Sequence, residues 1–111
     1  MTISTHVLDT SIGRPAAGVA VQLLRQQGSS WIEVFRGETD ADGRVPALLP
    51  ASAASAGVYR LTFDAGGYFQ QRGVDGFYTT IAIDFVVRAA DAHYHVPLLV
   101  SPYGYSTYRG S

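Results

Sequence analysis

The sequence predicts an all-β fold, an antiparallel β-sandwich. Period-two alternation of apolar and polar residues recurs along most of the chain. Turn signals built from Gly, Pro, Asp and Ser interrupt it at short intervals. Seven or eight short strands spaced this way within 111 residues fit two packed sheets.

The first strand places Ile3, Thr5, Val7 and Asp9 on one face and Ser4, His6 and Leu8 on the other. Gly13, Pro15 and Gly18 then punctuate a loop. Val19, Val21 and Leu23 alternate with Ala20, Gln22 and Leu24, and Gln27-Gly28-Ser29-Ser30 turns the chain. A third strand sets Trp31, Glu33 and Phe35 against Ile32, Val34 and Arg36. Thr39-Asp40-Ala41-Asp42-Gly43 is a turn, because Gly accepts positive φ and Asp bonds its own backbone. A short strand near Arg44-Val45 follows. The stretch from Pro50 to Gly57 reads as a loop with one helical turn. Tyr59, Leu61 and Phe63 alternate with Arg60, Thr62 and Asp64.

Gly66 to Gly73 is the one helix expected, about two turns long and closed by a glycine. Ile81, Ile83, Phe85 and Val87 alternate with Ala82, Asp84, Val86 and Arg88. Ala90-Asp91-Ala92 makes a turn, and Tyr94, Val96 and Leu98 then alternate with His93, His95 and Pro97. Pro97 lacks a donor and belongs at an edge or a bulge. The last strand lies around Tyr103 to Tyr108.

Composition narrows the function. With 47% hydrophobic and 15% charged residues the chain is not disordered, and at 111 residues it reads as one domain, 1–111. A net charge of −1 gives no electrostatic footprint for nucleic acid or an anionic membrane. There is no Lys, which removes Schiff-base chemistry on lysine, and no Cys, which removes disulfides, thiol nucleophiles and cysteine-ligated metals. No apolar run approaches a membrane span, and Met1 to His6 lacks a basic and apolar leader pattern, so the chain is expected to be soluble and cytoplasmic.

Three histidines carry the chemistry on offer. His6, His93 and His95 point away from the apolar faces, outward from a sheet, where a partner subunit would have to roof them. Solvated histidine, a three-imidazole zinc site and a neutral-pH general base are the readings open to them. Arg44, after its Asp-Gly turn, is a solvated cation or a planar fork for an anion or carbonyl. The end, Ser101 to Ser111, is rich in tyrosine, unlike a frayed polar terminus. A docked tail brings Arg109 and the Ser111 hydroxyl to a defined place.

Together these segments resemble the 5-hydroxyisourate hydrolases, the transthyretin-related enzymes of urate breakdown. The residues that carry the resemblance are Thr5-His6-Val7-Leu8-Asp9-Thr10, His93 to Leu99 with Ser101-Pro102, and the terminal Tyr108-Arg109-Gly110-Ser111. Gly13-Arg14-Pro15-Ala16, the Asp42-Gly43-Arg44 segment, Gly57-Val58-Tyr59 and Phe77-Tyr78 agree with it. One departure is that Thr79 and Thr80 follow Tyr78 where the family usually has Pro, which bears on local loop geometry. The resemblance implies a transthyretin-like (prealbumin-like) sandwich of two four-stranded sheets with one short helix. It implies a homotetramer with sites where subunits meet. It also implies hydrolysis of a cyclic amide in 5-hydroxyisourate, with neither metal nor cofactor. His6, Arg44, His95 and Ser111 would be catalytic; Arg44, Tyr108, Arg109, Gly110 and Ser111 would bind substrate. Ser111 is then a nucleophile or a hydrogen-bond donor, and Arg109 binds substrate or anchors the tail. A carrier of small aromatic hormones on the same scaffold is the rival reading; the hormone carriers lack the His6, Arg44, His95 and Tyr-Arg-Gly-Ser set.

Overall fold

A computed structural model describes residues 2–49, 55–88 and 92–111. The elements run β1 (Thr2–Asp9), β2 (Arg14–Pro15), β3 (Ala20–Gln27), β4 (Ser30–Glu38), β5 (Arg44–Leu49), β6 (Gly57–Asp64), α1 (Ala65–Gln71), β7 (Thr80–Val87), β8 (His93–His95), β9 (Leu98–Ser101) and β10 (Gly104–Thr107). They form two sheets that enclose one core. One has the order β4-β3-β6-β7 and is antiparallel throughout. The other is built on β1.

The β1 sheet has six segments yet is four strands wide along its length. Its upper half reads β10-β9-β1-β2. In its lower half β5 and β8 flank β1, and the tail adds a fourth position through a bridge between His95 and Gly110. The break between β8 and β9 falls at Val96-Pro97, where the expected donor-free position lies. Thr107 Oγ1 donates to the Pro97 carbonyl at 2.7 Å and ties β10 across the gap. β1 pairs parallel with β8 and β9, a relation that joins residues some 90 positions apart; the other pairs of this sheet are antiparallel.

Alternation gives the core. Ile3, Val7, Val21, Leu23, Tyr59, Leu61, Phe63, Ile81, Tyr94, Val96 and Leu98 all point inward and are buried. Each buried aliphatic or aromatic side chain of this kind contributes about 1.5–3 kcal/mol. Thr5 shares the inward face, and its hydroxyl is satisfied by donating to the Val96 carbonyl at 2.6 Å. β4 departs from the expected alternation. Leu23 faces Phe35 but Leu24 faces Glu33, so the chain bulges at Val34 on this edge strand.

The helix begins one residue before its expected start. Asp64, the last residue of β6, caps it by accepting from the Gly67 amide at 2.9 Å. Gly73, with φ +69°, follows the Arg72 C-cap and ends it as expected. Thr79 takes part in the same corner: its carbonyl accepts from the Gly66 amide at 2.8 Å. The loop expected over Pro50 to Gly57 lies largely outside the described residues, as do Ala90 and Asp91 of the next expected turn.

Candidate active site

The outer face of the β1 sheet gathers the polar residues that alternation turns away from the core. Register does the placing. Thr2 faces His93 and Ser4 faces His95 across the parallel pair, and His6 faces Arg44 across the antiparallel one. Directly opposed residues hold their Cβ atoms about 4.5–5.5 Å apart, so these side chains meet.

The turn before β5 fixes Arg44. Asp40 Oδ1 accepts from the amides of both Asp42 and Arg44 at 2.9 Å. The Gly43 amide donates to the Asp40 carbonyl, and the Gly43 carbonyl accepts from the Val7 amide at 2.7 Å. Gly43 has φ +74°, and a Cβ there would lie 2.4 Å from the Val7 carbonyl oxygen. Glycine is therefore required on two counts, conformation and space. Beneath the turn, the buried Thr39 hydroxyl accepts from the Val19 amide at 2.9 Å and donates to the Ala16 carbonyl at 2.7 Å. The same turn orients His6. Its Nε2 lies 2.9 Å from the Asp42 carbonyl, which only accepts, so Nε2 carries the proton.

His95 is half-buried, with Nδ1 2.8 Å from the Ser4 hydroxyl. His93 is exposed; its Nε2 lies 3.3 Å from the same hydroxyl and its Nδ1 contacts the Thr2 hydroxyl. The two rings are nearly parallel, 12° apart with centroids at 6.4 Å. Burial, then the positive fields of His93, His6 and Arg44, hold the His95 imidazole below its ordinary value, against a smaller opposing effect from hydrogen bonding to the Ser4 backbone. His95 is thus biased towards its neutral form. Among the described residues no carboxylate pairs with Arg44, and its guanidinium is left for an anion or a polarised carbonyl.

Ser4, Arg44, Pro46, His93, His95 and Ser111 line one depression of about 290 Å³. His6 adjoins it closely enough for its charge to act on His95. The tail reaches this face because it is docked, as its composition suggests. The Gly110 amide donates to the His95 carbonyl at 2.7 Å, and a Cβ on Gly110 would lie 2.6 Å from Cδ2 of the His95 ring.

Tyr108 and Arg109 lie elsewhere. They border a larger apolar depression of about 480 Å³ with Phe85, Val86, Tyr94 and Thr107. The Arg109 guanidinium sits 4.6 Å over the Tyr94 ring, and its Nη2 donates to the His93 carbonyl at 3.4 Å. Those contacts anchor the tail. The smaller depression has the converging imidazoles, hydroxyls and guanidinium that chemistry requires; the larger one is lined mainly by apolar and aromatic side chains.

Among the described residues no three His, Cys, Asp or Glu side chains are grouped as metal ligands. His93 and His95 each turn a nitrogen to Ser4, while His6 turns Nε2 to a carbonyl. Ser4 is the participant that sequence reasoning passed over. It shares the His6 face in the alternation, but a serine on a strand carries no chemical signature until the parallel pairing puts it between two imidazoles.

Comparison with known proteins gives a consistent result. The model of the HIUase/transthyretin family matches residues 3–110. The 5-hydroxyisourate hydrolase of Salmonella typhimurium is 47% identical over 109 residues, covering 98% of this chain and 80% of the relative. The structure of Klebsiella pneumoniae 5-hydroxyisourate hydrolase superposes with a TM-score of 0.88 at 41% identity, over 99% of this chain and 98% of that one. Sea bream transthyretin in complex with thyroxine superposes with a TM-score of 0.94 at 29% identity, over 99% and 95% of the two chains.

Proposed function

We propose a function on one premise: the chain belongs to the HIUase/transthyretin family. It is a hydrolase that converts 5-hydroxyisourate to 2-oxo-4-hydroxy-4-carboxy-5-ureidoimidazoline in urate degradation. The observation that carries this reading beyond the fold is the meeting of Arg44, His95 and Ser111 around one depression on the outer sheet face, with His6 paired across from Arg44 beside it. A hormone carrier on the same scaffold would have no use for a neutral, half-buried imidazole beside an unpaired guanidinium.

The mechanism follows from what each group can do. His95 Nε2, the ring nitrogen not turned to Ser4, takes a proton from water as its oxygen attacks the cyclic amide carbonyl. Arg44 holds the carbonyl oxygen and balances the charge that develops there; a single such donor is worth about 3 kcal/mol in comparable sites. The carbon–nitrogen bond breaks, the leaving nitrogen takes the proton from His95, and the product is a carboxylate. His6, fixed with Nε2–H on the Asp42 carbonyl, presents Nδ1 to share that proton. Ser111 donates a hydrogen bond to the substrate or the water. Gly110 lets the tail lie against the His95 ring, and Arg109 anchors it, while Tyr108 borders the other depression. No metal or cofactor takes part.

The proposal includes one domain over residues 1–111 and a homotetramer whose subunits roof the site. The open edges of β7 and β10, with Tyr103 and Tyr108 68% and 60% exposed nearby, support assembly between copies. No helix among the described residues is long and apolar enough to cross a membrane. Action in the cytoplasm is proposed with it, in keeping with a cysteine-free small domain.

The test is an ultraviolet assay. 5-Hydroxyisourate is generated freshly from urate with urate oxidase, and its absorbance is followed with and without this protein, chelator present. Loss proportional to protein concentration is the expected result. Decay no faster than the blank from a folded assembly overturns the hydrolase reading and returns the scaffold to the carriers.

A further inference from the structure

We propose that Ser4 is a positioning residue for this hydrolysis: its hydroxyl holds His95 in the Nδ1–H tautomer and joins that ring to His93, so that the two imidazoles act as one unit. The inference rests on the function proposed above and deepens it.

The geometry is that of a relay with one proton to place. A serine hydroxyl donates once and accepts through two lone pairs. Ser4 Oγ lies 2.8 Å from His95 Nδ1 and 3.3 Å from His93 Nε2, between near-parallel rings. It can donate to only one of them and must accept from the other. With His95 Nδ1–H donating to Ser4, the hydroxyl proton goes to His93 Nε2, and His93 Nδ1–H meets the Thr2 hydroxyl. His95 Nε2 is then a bare lone pair, which a base needs. The opposite direction would put a proton on Nε2 and leave no base.

Placement of the hydroxyl is secure. Ser4 and His95 are register partners, the Val96 amide donates to the Ser4 carbonyl at 3.0 Å, and Ser4 is only 6% exposed, so water competes poorly for its hydroxyl. The groups that face His95 are Ser4 and His6 from β1, Arg44 from β5, His93 from its own strand and Ser111 from the tail. When Nε2 takes the proton from water, the Nδ1–H bond to Ser4 strengthens and Ser4 polarises towards the exposed His93. The proton taken at Nε2 is the one delivered to the leaving nitrogen, so Ser4 moves no net proton.

The test reads the imidazole nitrogen shifts of the intact protein by ¹⁵N nuclear magnetic resonance, at a pH above the imidazole range. Wild type is expected to show His95 protonated at Nδ1 and bare at Nε2. Ser4→Ala keeps the backbone bond and removes only the hydroxyl. It is expected to release His95 into a mixture of tautomers and to lower kcat roughly tenfold with KM within about twofold. Ser4→Thr restores the hydroxyl, and with it the tautomer and most of kcat. A purely structural serine would leave the nitrogen shifts of His95 unchanged in Ser4→Ala, and that result, or an Nε2–H tautomer in wild type, overturns the proposal. Absence of hydrolase activity in wild type overturns the function above, while the nitrogen shifts still decide the assignment of Ser4.

Discussion

Gly110 and His95 are in contact across the edge of the β1 sheet. The tail amide is bonded to the histidine's own carbonyl, and no room is left for a side chain on the glycine, since a Cβ would approach Cδ2 of the ring to 2.6 Å. The imidazole therefore has the tail on one side and Ser4 on its Nδ1. Its orientation is set by backbone that the core holds in register, which is how a sheet face makes a site without a deep cavity.

Gly110→Ala is expected to displace the ring or lift the tail. A misplacement of the order of 1 Å at a reacting group can cost roughly a hundredfold in rate. We expect kcat/KM to fall by tens- to a hundredfold, while unfolding free energy changes by less than about 1 kcal/mol because Gly110 lies outside the core. Steady-state kinetics and thermal melts on one preparation check both halves. Unaltered kinetics would mean that the tail contact does not orient His95.

A second prediction concerns the joint between helix and sheet. The Tyr68 hydroxyl donates to Asp9 Oδ2 at 2.8 Å, and the Ser11 amide donates to Oδ1 at 3.0 Å, beneath a surface that leaves Asp9 only 1% exposed. Tyr68→Phe leaves that carboxylate one donor short, at a cost of about 1–3 kcal/mol. The melting temperature should fall by about 5–15 °C with activity retained, because Asp9 faces the core and the site faces outward. Burial, then the Asp9 carboxylate, push the Tyr68 phenol up to about 12. Its folded value lies above its unfolded one, so the folded state keeps a proton the unfolded state has lost. Stability should fall as pH rises from about 10 through about 12, and Tyr68→Phe should flatten that part of the profile.

Much of this was legible in the sequence, and the limits are physical. Alternation put His6, His93 and His95 outside the apolar face because the period of a strand is two, and the Asp42-Gly43 turn announced itself by residues that tolerate its geometry. Which strands lie side by side is a different matter. The parallel pairing of β1 with β8 joins Ser4 to His95 over 91 residues, and no local pattern encodes it. Ser4 was therefore visible as a residue and invisible as a participant. The bulge at Val34 escaped notice for a similar reason: it is a property of the β3–β4 pair, whereas alternation is read along one strand. The helix start shifted because Asp64 serves both the end of β6 and the cap of α1. The resemblance groups Tyr108 and Arg109 with Gly110 and Ser111 as substrate-binding, yet these two border the other depression, and a shared stretch of tail does not say which depression each side chain meets.

Arg44→Lys separates charge from shape. Lysine keeps the positive field but loses the planar fork that grips a carboxylate or carbonyl at two points. We expect kcat/KM to fall roughly ten- to a hundredfold, with the thermal melt unchanged, since Arg44 is exposed and among the described residues forms no ion pair. Full activity in Arg44→Lys would reduce Arg44 to a source of field.

Arg44→Met removes the field as well, and there the readout is the titration of His95 rather than the rate. Burial and three positive neighbours hold His95 below 6.5, the ordinary imidazole value. Protonation is therefore harder in the folded protein than in the unfolded chain. Two consequences have a definite sign. The stability that His95 contributes is fully present above 6.5 and is lost as pH falls through its lower folded value. The acid limb of kcat/KM, which reports the free enzyme's base, must also lie below 6.5. Following the His95 Cε1 proton by nuclear magnetic resonance should place its wild-type midpoint below that value. The midpoint should stay put in Arg44→Lys and move up in Arg44→Met. It should not return the whole way, because burial is the largest cause and His93 and His6 remain. A midpoint at or above 6.5 in wild type would mean that the site stabilises the imidazolium, and His95 would then be an acid that donates to the leaving nitrogen first.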